Sequence, residues 1–253
     1  MKTFALLLAL TGLASIAHAA PVKNVVLVHG AFVDGSSWSQ VIPLLQSKGY
    51  TVTAVQLPLT SLAADVAATK RALARQKGST ILVGHSWGGV VITEAGVDPT
   101  VAGLVYVAAF APDKGETVGE LGKAYPSPPA LSAPSVDKEG FMTLSEEGFK
   151  KLGADLPEAS VKLGVTTQGP IQTSVFGSTV SVAAWKSRPT WYIVSTLDQA
   201  IAPDEERWFA KRMKATTTEL KTSHFSMLSD PKDVADVIMA AAEKTSAGVA
   251  SAE

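Results

Sequence analysis

The chain has 253 residues, 46% of them hydrophobic and 18% charged, with a formal net charge of −1. That length and apolar fraction suit one large domain with a substantial core and exclude a disordered, solvating chain. The even charge balance, without a basic run, removes any electrostatic case for a nucleic-acid partner, and the absence of cysteine removes disulfides, thiolate catalysis and thiolate metal ligands.

At the N terminus Lys2 precedes an apolar run over residues 4–17, too short to span a bilayer, and Ala17-His18-Ala19 has the small-x-small form of a cleavage site. Residues 1–19 are read as a signal peptide and 20–253 as the folded domain, so the protein is expected to be exported, periplasmic or secreted. No later stretch is long and apolar enough for a membrane span.

Residues 22–28 form a near-continuous apolar run, as a parallel strand covered on both faces would. His29, Gly30, Ala31 and Phe32 follow, then a loop with Asp34 and Gly35. Trp38, Val41, Ile42, Leu44 and Leu45 recur at helical spacing, with Gly49 as a stop. A second strand is predicted over 50–57, closed by Pro58, and a helix through Leu62, Val66 and Leu73 ends near Gly78. Ile81-Leu82-Val83 is a third strand. It leads into Gly84-His85-Ser86-Trp87-Gly88, after which Val90, Val91, Ile92 and Ala95 begin a helix running to about residue 97. Asp98-Pro99 ends it, and 103–109 is a fourth strand. This alternation predicts an α/β fold, a doubly wound, mostly parallel sheet.

Between about 111 and 187 the alternation stops. Pro112, Pro126, Pro128, Pro129, Pro134, Pro157 and Pro170 interrupt any long element, and two short helices are predicted near 145–152 and 157–163. So long an irregular stretch inside a compact domain points to function; we read it as a small inserted cap over the carboxyl edge of the sheet. The main pattern resumes with a strand at 190–194, a turn through Asp198, a helix at 203–213, a β-rich stretch at 216–221 and the turn Ser223-His224. A last helix runs from Asp230-Pro231 to about residue 242, and the tail from Thr245 is expected to fray.

G-x-S-x-G between a strand and a helix is the sequence of a nucleophile elbow, a turn so tight that glycine is needed at Gly84 and Gly88 and the central Ser86 is presented at the sheet's edge. A serine needs a base to become nucleophilic, and the base needs an acid to orient it. Of the four histidines, His18 lies in the signal peptide, His85 is inside the turn, and His29 at the first strand tip reads as packing. His224 remains as general base. Asp198 leaves a core strand and precedes His224, giving the order Ser86, Asp198, His224; Asp113 is the alternative acid, and Asp204 reads as a helix start. An oxyanion needs two backbone donors: the N–H of Trp87, and that of Ala31 or alternatively Phe32. Phe32, Trp38, Tyr125, Phe141 and Phe176 are candidate apolar lining of a substrate pocket between sheet and cap, while Trp185 reads as structural. This chemistry requires no metal and no cofactor.

Four segments together carry a resemblance: Val-His-Gly-Ala-Phe at 28–32, Gly-His-Ser-Trp-Gly-Gly at 84–89, Ser-Thr-Leu-Asp-Gln-Ala-Ile-Ala-Pro at 195–203, and Ser-His-Phe-Ser-Met-Leu-Ser at 223–229. The chain resembles the α/β-hydrolase superfamily, in particular the compact branch with plant methylesterases, hydroxynitrile lyases and small bacterial esterases. That resemblance implies the α/β-hydrolase fold with a small cap, and a serine carboxylesterase that acts on a small-molecule ester, apolar or aromatic, through an acyl-enzyme. The same triad also serves cofactor-free perhydrolases or haloperoxidases, and slow-turnover small-molecule binding proteins of this fold. Hydroxynitrile lyases of the branch typically carry Thr after the first-strand tip and Lys after the catalytic His; here Gly30 and Phe225 stand in those places. The long lid of a true lipase is also missing.

Overall fold

The computed structural model describes residues 21–250, so the predicted signal peptide lies outside it. The first half alternates: β1 (Asn24–Val28), α1 (Val41–Ser47), β2 (Thr51–Ala54), α2 (Leu62–Leu73), β3 (Thr80–Ser86), α3 (Trp87–Ala95) and β4 (Val101–Ala109). An inserted segment follows, with α4 (Val118–Leu121), β5 (Pro134–Val136), β6 (Phe141–Leu144), α5 (Glu146–Leu152), α6 (Glu158–Thr167) and β7 (Ile171–Gln172). The chain ends with β8 (Thr190–Ser195), α7 (Pro203–Met213), β9 (Thr216–Leu220), α8 (Ser226–Ser229) and α9 (Pro231–Ala250).

Six strands form one sheet in the order β2-β1-β3-β4-β8-β9, every pair parallel. The valine- and leucine-rich β1 and β3 are buried along their whole length, as strands covered by helices on both faces must be. The order reverses between β1 and β3: the chain first builds outward to β2, then returns to build the other way. In open parallel sheets a crevice opens outside the carboxyl ends at such a reversal, and ligands bind there. The loop after β1 and the turn after β3 both end at this point.

Several boundaries differ from those expected. β3 runs on past its apolar residues, because Gly84 and His85 continue the ladder against Tyr106 and Val107. β2 is shorter, an edge strand that pairs only with β1. The C-terminal tail does not fray at Thr245. That residue is buried in α9, its hydroxyl donates to the Ala241 carbonyl at 2.8 Å, and Ser246 Oγ accepts the Val22 N–H at 2.8 Å.

In the inserted segment the two helices fall near the expected places, but a three-stranded antiparallel sheet, β5-β6-β7, was not foreseen. Its strands are two to four residues long, too short for alternation to declare them. Trp185 fastens the end of the segment, its indole N–H donating to the Pro112 carbonyl at 3.0 Å. Among the described residues no helix is long and apolar enough to cross a membrane.

Candidate active site

Ser86 stands where β3 turns into α3, with φ 52° and ψ −120°. The positive φ is costly for a residue with a side chain and persists only where packing enforces it. The enforcement comes from close backbone approach. A Cβ at Gly88 would lie 2.6 Å from the Val28 carbonyl and 2.7 Å from that of His29, so only glycine lets α3 press against the end of β1. No side chain caps α3. The first N–H groups of a helix have no intrahelical partner, so the Trp87 amide is available beside Ser86. The β1 loop comes equally close: a Cβ at Gly30 would meet Ser86 Cβ at 2.7 Å. Phe32 in that loop also has a positive φ, 63°.

His224 follows β9. Its Nδ1–H donates to Asp198 Oδ2 at 2.5 Å, and both side chains are buried. Asp198 closes its own turn with the other oxygen, Oδ1 accepting the N–H groups of Ala200 at 2.6 Å and Ile201 at 3.0 Å. The His224 backbone is held from two sides. Its N–H donates to the Leu152 carbonyl at the end of α5 (3.1 Å), and its carbonyl accepts His85 Nε2–H at 3.0 Å. With Nδ1 committed to Asp198, Nε2 is the nitrogen left for proton transfer. Asp113, the alternative acid, instead pairs with Lys186 at 2.6 Å, and Asp204 with Arg207 at 2.8 Å.

Ser86 and His224 line one cavity of about 450 Å³. Ala31, Phe32 and Trp87 form its wall on the sheet side, and Tyr125, Met142 and Phe176 come from the inserted segment. Two of the expected lining residues do not reach it. Trp38 is fully buried behind the site, edge-on to His85 with ring centroids 6.4 Å apart. Phe141 opens β6 opposite Gln172, and side chains alternate along a strand, so its neighbour Met142 is the one that lines the cavity.

Burial disfavours the charged form of the two other histidines among the described residues. His29 accepts the Leu57 N–H on Nε2 (2.9 Å) and donates from Nδ1 to the Gly30 carbonyl (2.8 Å); burial lowers its pKa. His85 is held well below its ordinary value by burial first and by the neighbouring His224 second. Among the described residues no group of three His, Asp or Glu side chains could hold a metal ion.

Sequence reasoning missed four acids. Asp65 of α2 is fully buried and ties two elements together, Oδ1 accepting the Leu59 N–H and Oδ2 the Trp87 indole N–H, each at 2.8 Å. Asp155, after α5, accepts the Ser223 N–H at 2.8 Å and also the Ser223 hydroxyl. Glu206 of α7 is fully buried, and burial and then the charge of Asp198 hold it well above the carboxylate range; its Oε2 accepts the Ser195 N–H at 2.9 Å. Glu205 lines the cavity, and burial, then Asp198, push it up to about 7. Asp65 alone carried a signal, an acid on the same helical face as Leu62, Thr69 and Leu73.

Such an arrangement can activate a hydroxyl, take up its proton, and offer amide hydrogens to an oxyanion in a largely apolar cavity. The chain is similar to methylesterase 2 of Arabidopsis thaliana, 26% identical over 87% of this chain and 96% of that protein. It is 28% identical to an alpha-hydroxynitrile lyase of the same plant, over 86% of this chain and 96% of the relative. The crystal structure of a pyrethroid hydrolase from Sphingobium faniae superimposes with a TM-score of 0.74 at 25% identity, covering 87% of this chain and 97% of the other. The model of the alpha/beta hydrolase family matches residues 25–237. The chain belongs to the alpha/beta hydrolase family.

Proposed function

We propose that this hydrolase cleaves small, apolar or aromatic carboxylic esters through an acyl-enzyme on Ser86. The observation that carries this reading is the joint opening onto one cavity of Ser86, in its strained elbow, and His224, bonded to Asp198. His224 Nε2 takes the Ser86 Oγ proton as Oγ attacks the ester carbonyl carbon. The negative oxygen of the tetrahedral intermediate is held by the Ala31 and Trp87 amides. The intermediate collapses, the C–O bond to the alcohol breaks, and His224 returns the proton to the leaving alkoxide. Water, deprotonated by the same imidazole, then attacks the acyl carbon and frees the acid and Ser86. Asp198 fixes the tautomer of His224 and stabilises its cationic form.

The methylesterase among the relatives favours ester hydrolysis, and the Gly30 contact weighs against the lyase that is also among them. A side chain there has no room without displacing Ser86, so the threonine of a hydroxynitrile lyase does not fit this backbone. The apolar cavity favours apolar or short-acyl esters. The test is turnover of p-nitrophenyl butyrate and labelling by a fluorophosphonate. Ser86→Ala is expected to abolish labelling and lower kcat by up to about 10⁶-fold; equal turnover by wild type and variant refutes the reading. Labelling in periplasmic and medium fractions also tests export, with an N terminus at Ala20 as the expected result.

A further inference from the structure

Glu205 is the one acidic side chain in the cavity wall among the described residues, set among groups such as Leu131, Met142 and Ile201. The residue is 4% exposed, and its Oε1 is buried without a hydrogen-bond partner among the described residues. An acid in the first turn of a helix is ordinary. Asp204, in the same turn, behaves so, being paired with Arg207 at the surface. Glu205 differs: its Oε1 is buried and given nothing to bond, which costs stability, and the residue forms part of the cavity wall. A donor brought to the carboxyl group from the cavity side offsets that cost.

We propose that Glu205 determines specificity by pairing with a protonated amine on the substrate, so that the preferred substrates are small apolar esters carrying one basic nitrogen. This deepens the esterase reading and rests on it. The surroundings favour a cation over a neutral donor. Asp198 adds an acidic group whose field reaches Glu205, while Glu206 beside it is held well above the carboxylate range and Tyr125 and Tyr192, within reach of the Glu205 field, are held above the ordinary phenol value. Of the bases nearby, Arg212 is engaged by Glu116 at 2.8 Å and by the Ala111 carbonyl, and Lys123 of the wall is exposed. Burial brings the titration of Glu205 to about 7, so its carboxylate forms just above neutrality. There it gains a charge-assisted hydrogen bond from an ammonium, while the apolar wall takes the hydrocarbon.

The test is calorimetric titration with benzylamine and benzyl alcohol, matched in shape. Near pH 8 the wild-type protein is expected to bind the amine at least about tenfold more tightly, and Glu205→Gln to reduce that ratio to about one to three. Equal affinities in the wild type, or a preference that survives Glu205→Gln, overturn the proposal. A pH series on the wild type covers the case in which the variant does not fold. Benzylamine stays cationic throughout, so the preference should shrink from pH 8 to pH 6 as Glu205 takes up its proton, and a constant preference overturns the proposal. Calorimetry reads binding without turnover. Fluorophosphonate labelling with no amine preference therefore overturns this proposal alone; amine preference with no labelling at Ser86 overturns the esterase reading on which its substrate claim rests.

Discussion

Asp155 offers a test of how the inserted segment governs the candidate triad. Its Oδ2 accepts the Ser223 N–H at 2.8 Å, and its Oδ1 accepts the Ser223 hydroxyl and, at 2.7 Å, that of Ser229. Ser223 and Ser229 flank the His224 turn. With the Leu152 carbonyl on the His224 N–H, the end of α5 and the residues just after it grip that turn on both sides. Burial pulls the Asp155 pKa up, but the hydrogen bonds from Ser223 and Ser229 outweigh it and hold the carboxyl below its ordinary value.

Asp155→Ala removes three hydrogen bonds to a charged acceptor. Each is worth about 1.5–3 kcal/mol when sheltered, but the residue is exposed and water recovers much of this. A net loss of about 1–2 kcal/mol is expected, or about 2–8 °C in Tm for a chain of this size. The rate should suffer more, because a displacement of about 1 Å in a catalytic group costs roughly 10²-fold. The expected result with p-nitrophenyl butyrate is a kcat lowered about 10- to 100-fold. KM should change little, since Asp155 is not in the cavity wall. Asp155→Asn keeps one acceptor oxygen and should recover part of the rate. The folded pKa is depressed, so the stabilisation is present above the unfolded carboxylate value, about 3.9, and is lost as pH falls through the folded one. The Tm difference between wild type and Asp155→Ala should therefore vanish in strong acid. A variant that loses the expected stability but keeps the wild-type kcat refutes the positioning argument.

Asp65→Ala leaves the Trp87 indole N–H and the Leu59 N–H buried without an acceptor. It should cost about 3–5 kcal/mol in urea unfolding, and a loss below about 1 kcal/mol would show that neither bond matters as described. Glu206→Gln keeps an acceptor for Ser195 but cannot ionise. The folded pKa of Glu206 is raised, so its contribution is fully present below the unfolded carboxylate pKa and is lost as pH rises through the folded value. The variant should accordingly gain in Tm over wild type from pH 5 to pH 8 in differential scanning fluorimetry, by about 2–4 °C for each 1 kcal/mol; a gap that stays constant with pH refutes the assignment of Glu206 as the group paying the burial cost.

The placement of the candidate triad, Ser86, Asp198 and His224, was legible because each sits where a strand pattern stops, and the ends of parallel strands meet at one edge whatever the side chains do. The aromatic lining was half legible for the opposite reason. Phe32, Tyr125 and Phe176 reach the cavity, but aromatic type does not say which way a residue faces. Trp38 shares the buried helical spacing of Val41 and Leu45, and Phe141 lost its place to Met142 by a single step of strand alternation. Asp155, Glu205 and Glu206 were invisible because an acid at a helix end reads as solvated until tertiary contacts say otherwise. Glu205 and Asp204 are neighbours in one turn with opposite surroundings.

His85 links the nucleophile to its base by the shortest route the chain allows. It precedes Ser86 directly, and its Nε2–H reaches the His224 carbonyl at 3.0 Å. A proton on Nε2 is required for that bond, and burial keeps the second proton off the ring, so His85 remains a fixed donor across the pH range in which an ester hydrolase works. The separation between residues 86 and 224 is therefore set on one side by the elbow itself, through one peptide unit and one imidazole. On the other side it is set by the Leu152 carbonyl and Asp155 of the inserted segment. Movement of that segment can loosen only the second attachment. The elbow keeps its own hold on His224, so the insert is expected to tune the rate of the proposed reaction, while the core carries the chemistry.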